Sequence, residues 1–204
     1  MTRAQLIDGW RIEITIREGV SKILARTTIA RTVAAALRSA GAPSPALLSI
    51  VLTNDDELGE LNETHLGHEG PTDVLSFPLL PPEAFPPHTG RPSGPHTGRR
   101  HDPHGAGAGS QSPAFVLPPR SRIHLGDIAV SVERAAAQAA EGRGGQTGDV
   151  RWSTADELRL LLTHGTLHVC GWDHAEPVEE AAMRALEHEL LAVSGAGAGA
   201  APGV

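Results

Sequence analysis

Tyrosine is absent from this 204-residue chain, and tryptophan and phenylalanine occur three times each. A core must therefore be built mainly from Leu, Ile, Val and Ala, which a hydrophobic content of 40% allows. There is one cysteine, Cys170, which excludes an internal disulfide and fits a reducing compartment. There is also one lysine, Lys22, and the net charge is −7. That balance argues against a general nucleic-acid coat, because nonspecific binders are basic, while leaving open an enzyme with a local basic groove. No apolar run reaches the about 18 residues of a transmembrane helix. The stretch Met1–Trp10 holds no apolar run long enough for a signal peptide. The composition reads as one soluble, cytoplasmic domain with no membrane partner.

Periodicity divides the chain into alternating strands and helices. Ile12, Ile14 and Ile16 alternate with polar residues, the period-two pattern of a half-buried strand. From about Ser21 to Ala40, Ile23, Leu24, Thr27, Ala30, Val33, Ala34 and Leu37 recur at three and four, as in an amphipathic helix. Gly41-Ala42-Pro43 closes it. The apolar run Ala46–Leu52 reads as a buried strand, and Asp55-Asp56-Glu57 opens a short helix with acids at the favourable end of its dipole. Val74, Leu75 and Phe77 suggest a strand bounded by Pro71 and Pro78. From Leu79 to about Ser121 the chain turns to Pro, Gly, His and Ser, a composition that buries too little apolar surface to offset ordering. Residues 79–121 are therefore expected to be a disordered, net basic insertion.

His124–Ser131 reads as the next strand, and Glu133–Ala140 is alanine-rich and helical. Thr154-x-x-Glu157 has the form of a capping box. The helix after it carries leucines nearly all the way round, which makes it central and buried. Pro177 starts a last helix to about Val193, with Val178, Ala182, Leu186 and Leu190 on one side. Residues 195–204 are expected to be a disordered tail. The fold class is α/β (α+β): a single domain over residues 1–194, with a small mixed sheet of about four strands packed against helices.

Three histidines lie in the central helix and the turn that follows: His164, His168 and His174. Helical residues four apart share a face, so His164 and His168 can aim two imidazoles at one point. Gly171 is a helix stop of the left-handed kind, after which the chain can bring His174 to the same point. Three neutral imidazoles with a fourth position open to water is the arrangement of a catalytic Zn²⁺ site, with one ion per chain. The spacing matches the H-E-x-x-H-x-x-G-x-x-H of metzincin proteases, except that Gly165 stands where the glutamate base would be. The helix is thus zincin-like in its metal cage and lacks the protease's base. Cys170 lies about 200° round the helix from His168, the wrong phase for a fourth ligand. Asp173 either orients an imidazole from behind or caps the turn after Gly171. Asp127 and Ser131 either support the site or finish a strand, and Trp172 reads as packing beneath the ligand loop.

These blocks together resemble the YbeY family. The segment His164-Gly-Thr-Leu-His168-x-x-Gly171-Trp-Asp173-His174 is similar to the family's signature. Leu61-Asn62 followed by Pro71–Pro78, then Leu125-Gly126-Asp127-Ile128 with Val130-Ser131, then Met183 and Glu187, resemble its other blocks in the same order. The resemblance covers nearly the whole chain outside the insertion and the tail. It implies a single-strand-specific, zinc-dependent endoribonuclease of bacterial rRNA maturation, including 16S rRNA 3′-end processing, and of ribosome quality control. It implies further that His164, His168 and His174 hold the Zn²⁺, that metal-activated water attacks the phosphodiester, and that the partners are single-stranded rRNA and the ribosome or its assembly proteins. No general base is assigned. Many family members carry an arginine just before a glycine after the Leu-Asn pair, and this implies a phosphate contact. Here Leu66 precedes Gly67. His65, His68, Arg122 and the arginines of the insertion are candidates to replace that contact. Two alternatives stand beside this reading. Leu66 lends weight to a non-enzymatic ribosome-assembly factor with a structural zinc, and the metal cage alone would also suit another zinc hydrolase.

Overall fold

Asp8 and Gly9 both take positive φ, 50° and 90°, and so form the tight two-residue turn that matches the twist of a hairpin. They join β1 (Thr2–Ile7) to β2 (Trp10–Ile16), the first two elements of a computed structural model that describes residues 2–68, 70–89, 122–142 and 152–194. There follow α1 (Arg26–Ser39), β3 (Ala46–Thr53), α2 (Asp55–Leu66), β4 (Val74–Pro78), β5 (Ile123–Ser131), α3 (Val132–Ala140), α4 (Thr154–Val169) and α5 (Pro177–Val193). The sheet order is β1-β2-β3-β5-β4. The central pairs β2–β3 and β3–β5 are parallel, and the outer pairs β1–β2 and β4–β5 are antiparallel.

The two faces of the sheet are covered differently. Ile12, Ile14, Leu48, Ile50 and Ile128 pack into one cluster with Ile29 and Val33 of α1 and Leu158 and Leu162 of α4. Ala129 and Leu75 face the other way and meet Leu58 of α2 in a smaller cluster. Helix α4 therefore lies under the parallel strands and beside β4, which is an edge strand.

The mixed sheet packed against helices is the expected class, and it has one strand more than periodicity suggests. β1 is an edge strand with mostly exposed residues, Leu6 among them, so it carries no alternation for burial to impose. Helix α1 begins at Arg26 rather than Ser21, because Ala25 is extended and Leu24 is buried from a non-helical segment. The capping box of α4 lies one residue earlier than Thr154/Glu157. Asp156 N–H donates to Ser153 Oγ at 3.2 Å, and Ser153 N–H donates to Asp156 Oδ2 at 3.1 Å. Glu157 turns inward instead, where it accepts a hydrogen bond from Trp152 Nε1 at 2.7 Å. The buried face of α5 is also displaced by one residue, to Glu179, Met183, Glu187 and Leu191, while Val178 is exposed. That face carries two carboxylates into the molecule.

The first residues past β4 are packed. A short 3₁₀ turn at Pro82–Ala84 leads Phe85 into the main core, where it is 3% exposed. A Cβ at Gly41 would lie 2.6 Å from Pro86 Cγ, and one at Gly171 would lie 3.1 Å from Pro82 Cβ, so both glycines make room for this strap. Residues 90–121 of the expected insertion and the expected tail 195–204 lie outside the described residues.

Candidate metal centre and active-site cleft

Helix α4 ends in the hydrogen-bond pattern of a glycine-stopped helix. Gly171, at φ 82°, donates to His168 O at 3.0 Å, and Trp172 N–H donates to Leu167 O at 3.0 Å. The chain reverses there and returns His174 to the helix face that carries His164 and His168. Among the described residues, these three histidines form the group whose ligand atoms could hold a metal ion, all within 4.8 Å of one another. The rings of His164 and His168 stand nearly perpendicular, 4.5 Å apart, and that of His174 lies 5.0 Å from His168 and 5.5 Å from His164.

The far side of two rings fixes what the near side offers. His168 Nδ1 lies 2.9 Å from Trp172 O, a carbonyl that only accepts, so Nδ1 carries the proton and Nε2 a bare lone pair. His164 Nδ1 lies 2.7 Å from Glu187 Oε1, on the inward face of α5. A carboxylate there holds the His164 proton on Nδ1 and leaves Nε2 to face the other two rings. The two Nε2 atoms are 3.0 Å apart. Two lone pairs at that distance repel, and a cation or a shared proton between them relieves it. Burial, with the neighbouring His164 and His174 adding to it, lowers the His168 pKa to about 4, which keeps this ring neutral as a metal ligand must be. Three imidazole nitrogens, two of them oriented from behind, fit a divalent ion such as Zn²⁺. Cys170 is wholly buried, and burial pushes its thiol up to about 12, so it stays protonated and apart from the group.

Gly165 shows why no carboxylate base follows His164. A Cβ there would meet Ile128 Cγ2 at 2.9 Å and Ser76 Oγ and Val74 Cγ2 at 3.1 Å each. The helix is pressed onto β4 and β5 at this residue, and Ser76 Oγ donates to Gly165 O at 3.1 Å. The histidines open on the side of β4 into a cleft of about 1040 Å³, walled by Leu66, Thr72, the β4 edge, Leu79–Pro82 and the turn Gly171–His174.

The profile of the family described as Endoribonuclease YbeY matches residues 12–195. The chain belongs to the YbeY endoribonuclease family. It is 33% identical over 185 residues to the Endoribonuclease YbeY of Roseiflexus castenholzii, an alignment covering 90% of this chain and 92% of the relative. It is 39% identical over 157 residues to that of Salinispora tropica, covering 77% and 80%, and 34% identical over 187 residues to that of Chloroflexus aurantiacus, covering 91% and 96%. The activity of a YbeY endoribonuclease is hydrolytic, and its substrate is RNA. Among the described residues no helix is long and apolar enough to cross a membrane.

The other residues singled out from the sequence fall into different places. Asp173 Oδ1 accepts from His174 N–H at 2.7 Å, so of its two readings it makes the turn contact. Asp127 neighbours Ile128 on β5 and therefore faces the α2 side of the sheet, opposite α4, with Oδ1 3.3 Å from His124 Nε2. Ser131 caps α3, accepting from Arg134 N–H. Arg122 Nη1 donates to Gly9 O on the β1–β2 turn, which ties it beyond β3 and away from the cleft. His68 is exposed just past α2, and His65 meets the edge of Phe77 at 5.4 Å; neither lines the cleft. Leu66 does line it and is 54% exposed. Glu187 is the site residue that sequence reasoning left without a role. Its signal was a carboxylate four residues after Met183, facing in with it, and the displaced helix face concealed it.

Proposed function

We propose that this protein is a zinc-dependent, single-strand-specific endoribonuclease of rRNA maturation and ribosome quality control, acting in the cytoplasm on substrates that include the 16S rRNA 3′ end. His164, His168 and His174 hold one Zn²⁺ per chain in this reading. The observation that carries it is the pair of bare Nε2 atoms 3.0 Å apart at the floor of an open cleft. Zn²⁺ bound there supplies Lewis acidity toward a phosphoryl oxygen and a means of activating water near neutral pH. The protein's own residues do the positioning. Glu187 and the Trp172 carbonyl fix the two helix imidazoles, the Gly171 turn sets His174, and the wall formed by β4 leaves one side of the site open to a strand. The side chain that serves metzincins as base has no place at Gly165, so the nucleophile in this reading is water and not a 2′-hydroxyl deprotonated by that residue.

The test is RNA cleavage by wild type and by His168→Ala, with bound zinc measured in both and a chelator arm for wild type. Wild type is expected to carry one zinc and to cleave single-stranded RNA. Chelation is expected to abolish cleavage while leaving the chain folded, which separates a catalytic from a structural zinc. His168→Ala is expected to lose both zinc and activity, and full activity in zinc-free protein would overturn the reading. A substrate with one deoxynucleotide 5′ to the cleaved bond is expected to be cut as well, without any 2′,3′-cyclic phosphate from the all-RNA strand.

A further inference from the structure

RNA is a polyanion, yet among the described residues lining the cleft there is no arginine or lysine, and Asp73 and Asp173 are both present. Leu66, at the end of α2, adds an apolar side chain to this wall. Among the described lining residues, the donors besides the histidines are the buried Trp172 indole N–H, hydroxyls and backbone N–H groups. The backbone of β4 supplies a specific one.

β4 pairs with β5 on one side only and ends the sheet. Ser131 N–H donates to Asp73 O at 2.9 Å, and Leu79 N–H donates to Leu125 O at 2.9 Å. With the register Leu75↔Ala129 and Phe77↔Asp127, these bonds place residues 73, 75, 77 and 79 in the positions that bond to β5. The N–H and C=O groups of Val74, Ser76 and Pro78 therefore point outward, along the wall of the cleft. Of the three amides, that of Val74 is taken by Asp73 Oδ1 at 2.9 Å, and Pro78 has no N–H. Of these three, Ser76 alone has an outward N–H with no partner among the described residues. It sits where the strand touches α4 at Gly165, the residue after His164.

We infer that the main-chain N–H of Ser76 is the phosphate donor of this cleft and sets the register of the RNA strand along β4. The carbonyls of Val74, Ser76 and Pro78 face out beside it and repel a phosphate placed elsewhere on the edge. One donor among three acceptors thus admits a phosphate at one place, next to the histidines. This inference rests on the RNA-cleaving reading above. Hydrogen bonds to an ionised partner are the stronger class, so loss of this one should lower kcat/KM roughly 10- to 100-fold.

The experiment compares Ser76→Pro with Ser76→Ala. Both lose the hydroxyl bond to Gly165 O, and only proline removes the N–H. Proline is tolerated where an edge N–H faces outward, and Leu75 already has the extended backbone that proline requires of its predecessor. A backbone ester at Ser76, made by incorporating the α-hydroxy analogue of serine, removes the N–H without a ring. It decides the matter if the proline variant melts early. The readouts are kcat/KM, the spread of cleavage sites by product sequencing, zinc content, and binding of a short fluorescein-labelled single-stranded RNA to the metal-free proteins. The expected result is kcat/KM in the proline and ester variants at least tenfold below Ser76→Ala, weaker RNA binding without metal, and cleavage spread over neighbouring bonds, at equal zinc content. Proline and ester variants within twofold of Ser76→Ala, with the same cleavage sites, would overturn the inference while wild-type cleavage still supported the functional reading. A wild type that does not cleave RNA would instead remove the functional reading.

Discussion

Replacing Gly165 by alanine sets two effects of known sign against each other. Glycine inside a helix is disfavoured relative to alanine by about 0.8–1 kcal/mol, so propensity alone makes the variant more stable. The structure opposes this. The added carbon would lie 2.9 Å from Ile128 Cγ2 and 3.1 Å from both Ser76 Oγ and Val74 Cγ2, whereas unstrained carbon contacts lie at about 3.5–4.0 Å. Ile128 is 1% exposed and held on all sides, so it cannot swing away. Overpacking of this kind costs about 1–3 kcal/mol. The net expectation is a metal-free protein destabilised by about 1 kcal/mol, read as a lower urea midpoint at unchanged slope. Because the helix must move off β4, zinc affinity should fall as well. A variant more stable than wild type, by the amount propensity predicts, would refute the claim that Gly165 is a contact glycine. Gly165→Glu, which restores the residue of the protease motif, should be far less stable than Gly165→Ala for the same reason.

Two further predictions concern the ligands. Glu187→Ala should weaken zinc binding about 10- to 100-fold, measured by competition with a chromogenic chelator, because His164 loses the carboxylate on its far nitrogen. Equal affinity would remove Glu187 from the site. The second concerns pH. The folded-state pKa of His168 is lowered to about 4, so between about 6.5 and that value the unfolded chain binds the extra proton. The contribution of a neutral His168 to metal-free stability is complete above about pH 6.5 and is lost as pH falls to about 4, up to about 3 kcal/mol. Urea unfolding across that range should show the slope, and His168→Gln should make it shallower. An unchanged slope in that variant would show that His168 is not held neutral.

Much of the architecture was legible because burial leaves a period in the sequence. The isoleucines of β2, the apolar run of β3 and the leucines of α4 each advertise a covered face. What stayed illegible had no such imprint. β1 is exposed at the sheet edge, and Phe85 is a single apolar residue in a proline-rich segment. In α5 the inward face carries Glu179 and Glu187, so reading by hydrophobicity alone chose the neighbouring face with Val178. The three histidines were legible from spacing, because helix pitch and a glycine stop determine where such residues point. The parity of β5 could be read, and with it the opposition of Asp127 and Ile128, but not which of the two faces α4 would cover. That is why Asp127 was a candidate for the site and lies across the sheet from it. Arg122 lies away from the cleft for a related reason: its partner, Gly9 O, comes from a strand pair two places away in the sheet.

The turn at Trp172 ties local dynamics to ion retention. One residue uses its N–H to close the last turn of α4 and its C=O to hold the His168 ring. Fraying of that helix end, ordinarily a low-energy and independent event, here releases the orientation of a ligand in the same motion. An ion held by the three histidines would be released through opening of the end of α4, and would in turn protect the Gly171 and Trp172 amides from exchange with solvent. Ion exchange and amide exchange become two readings of a single opening equilibrium.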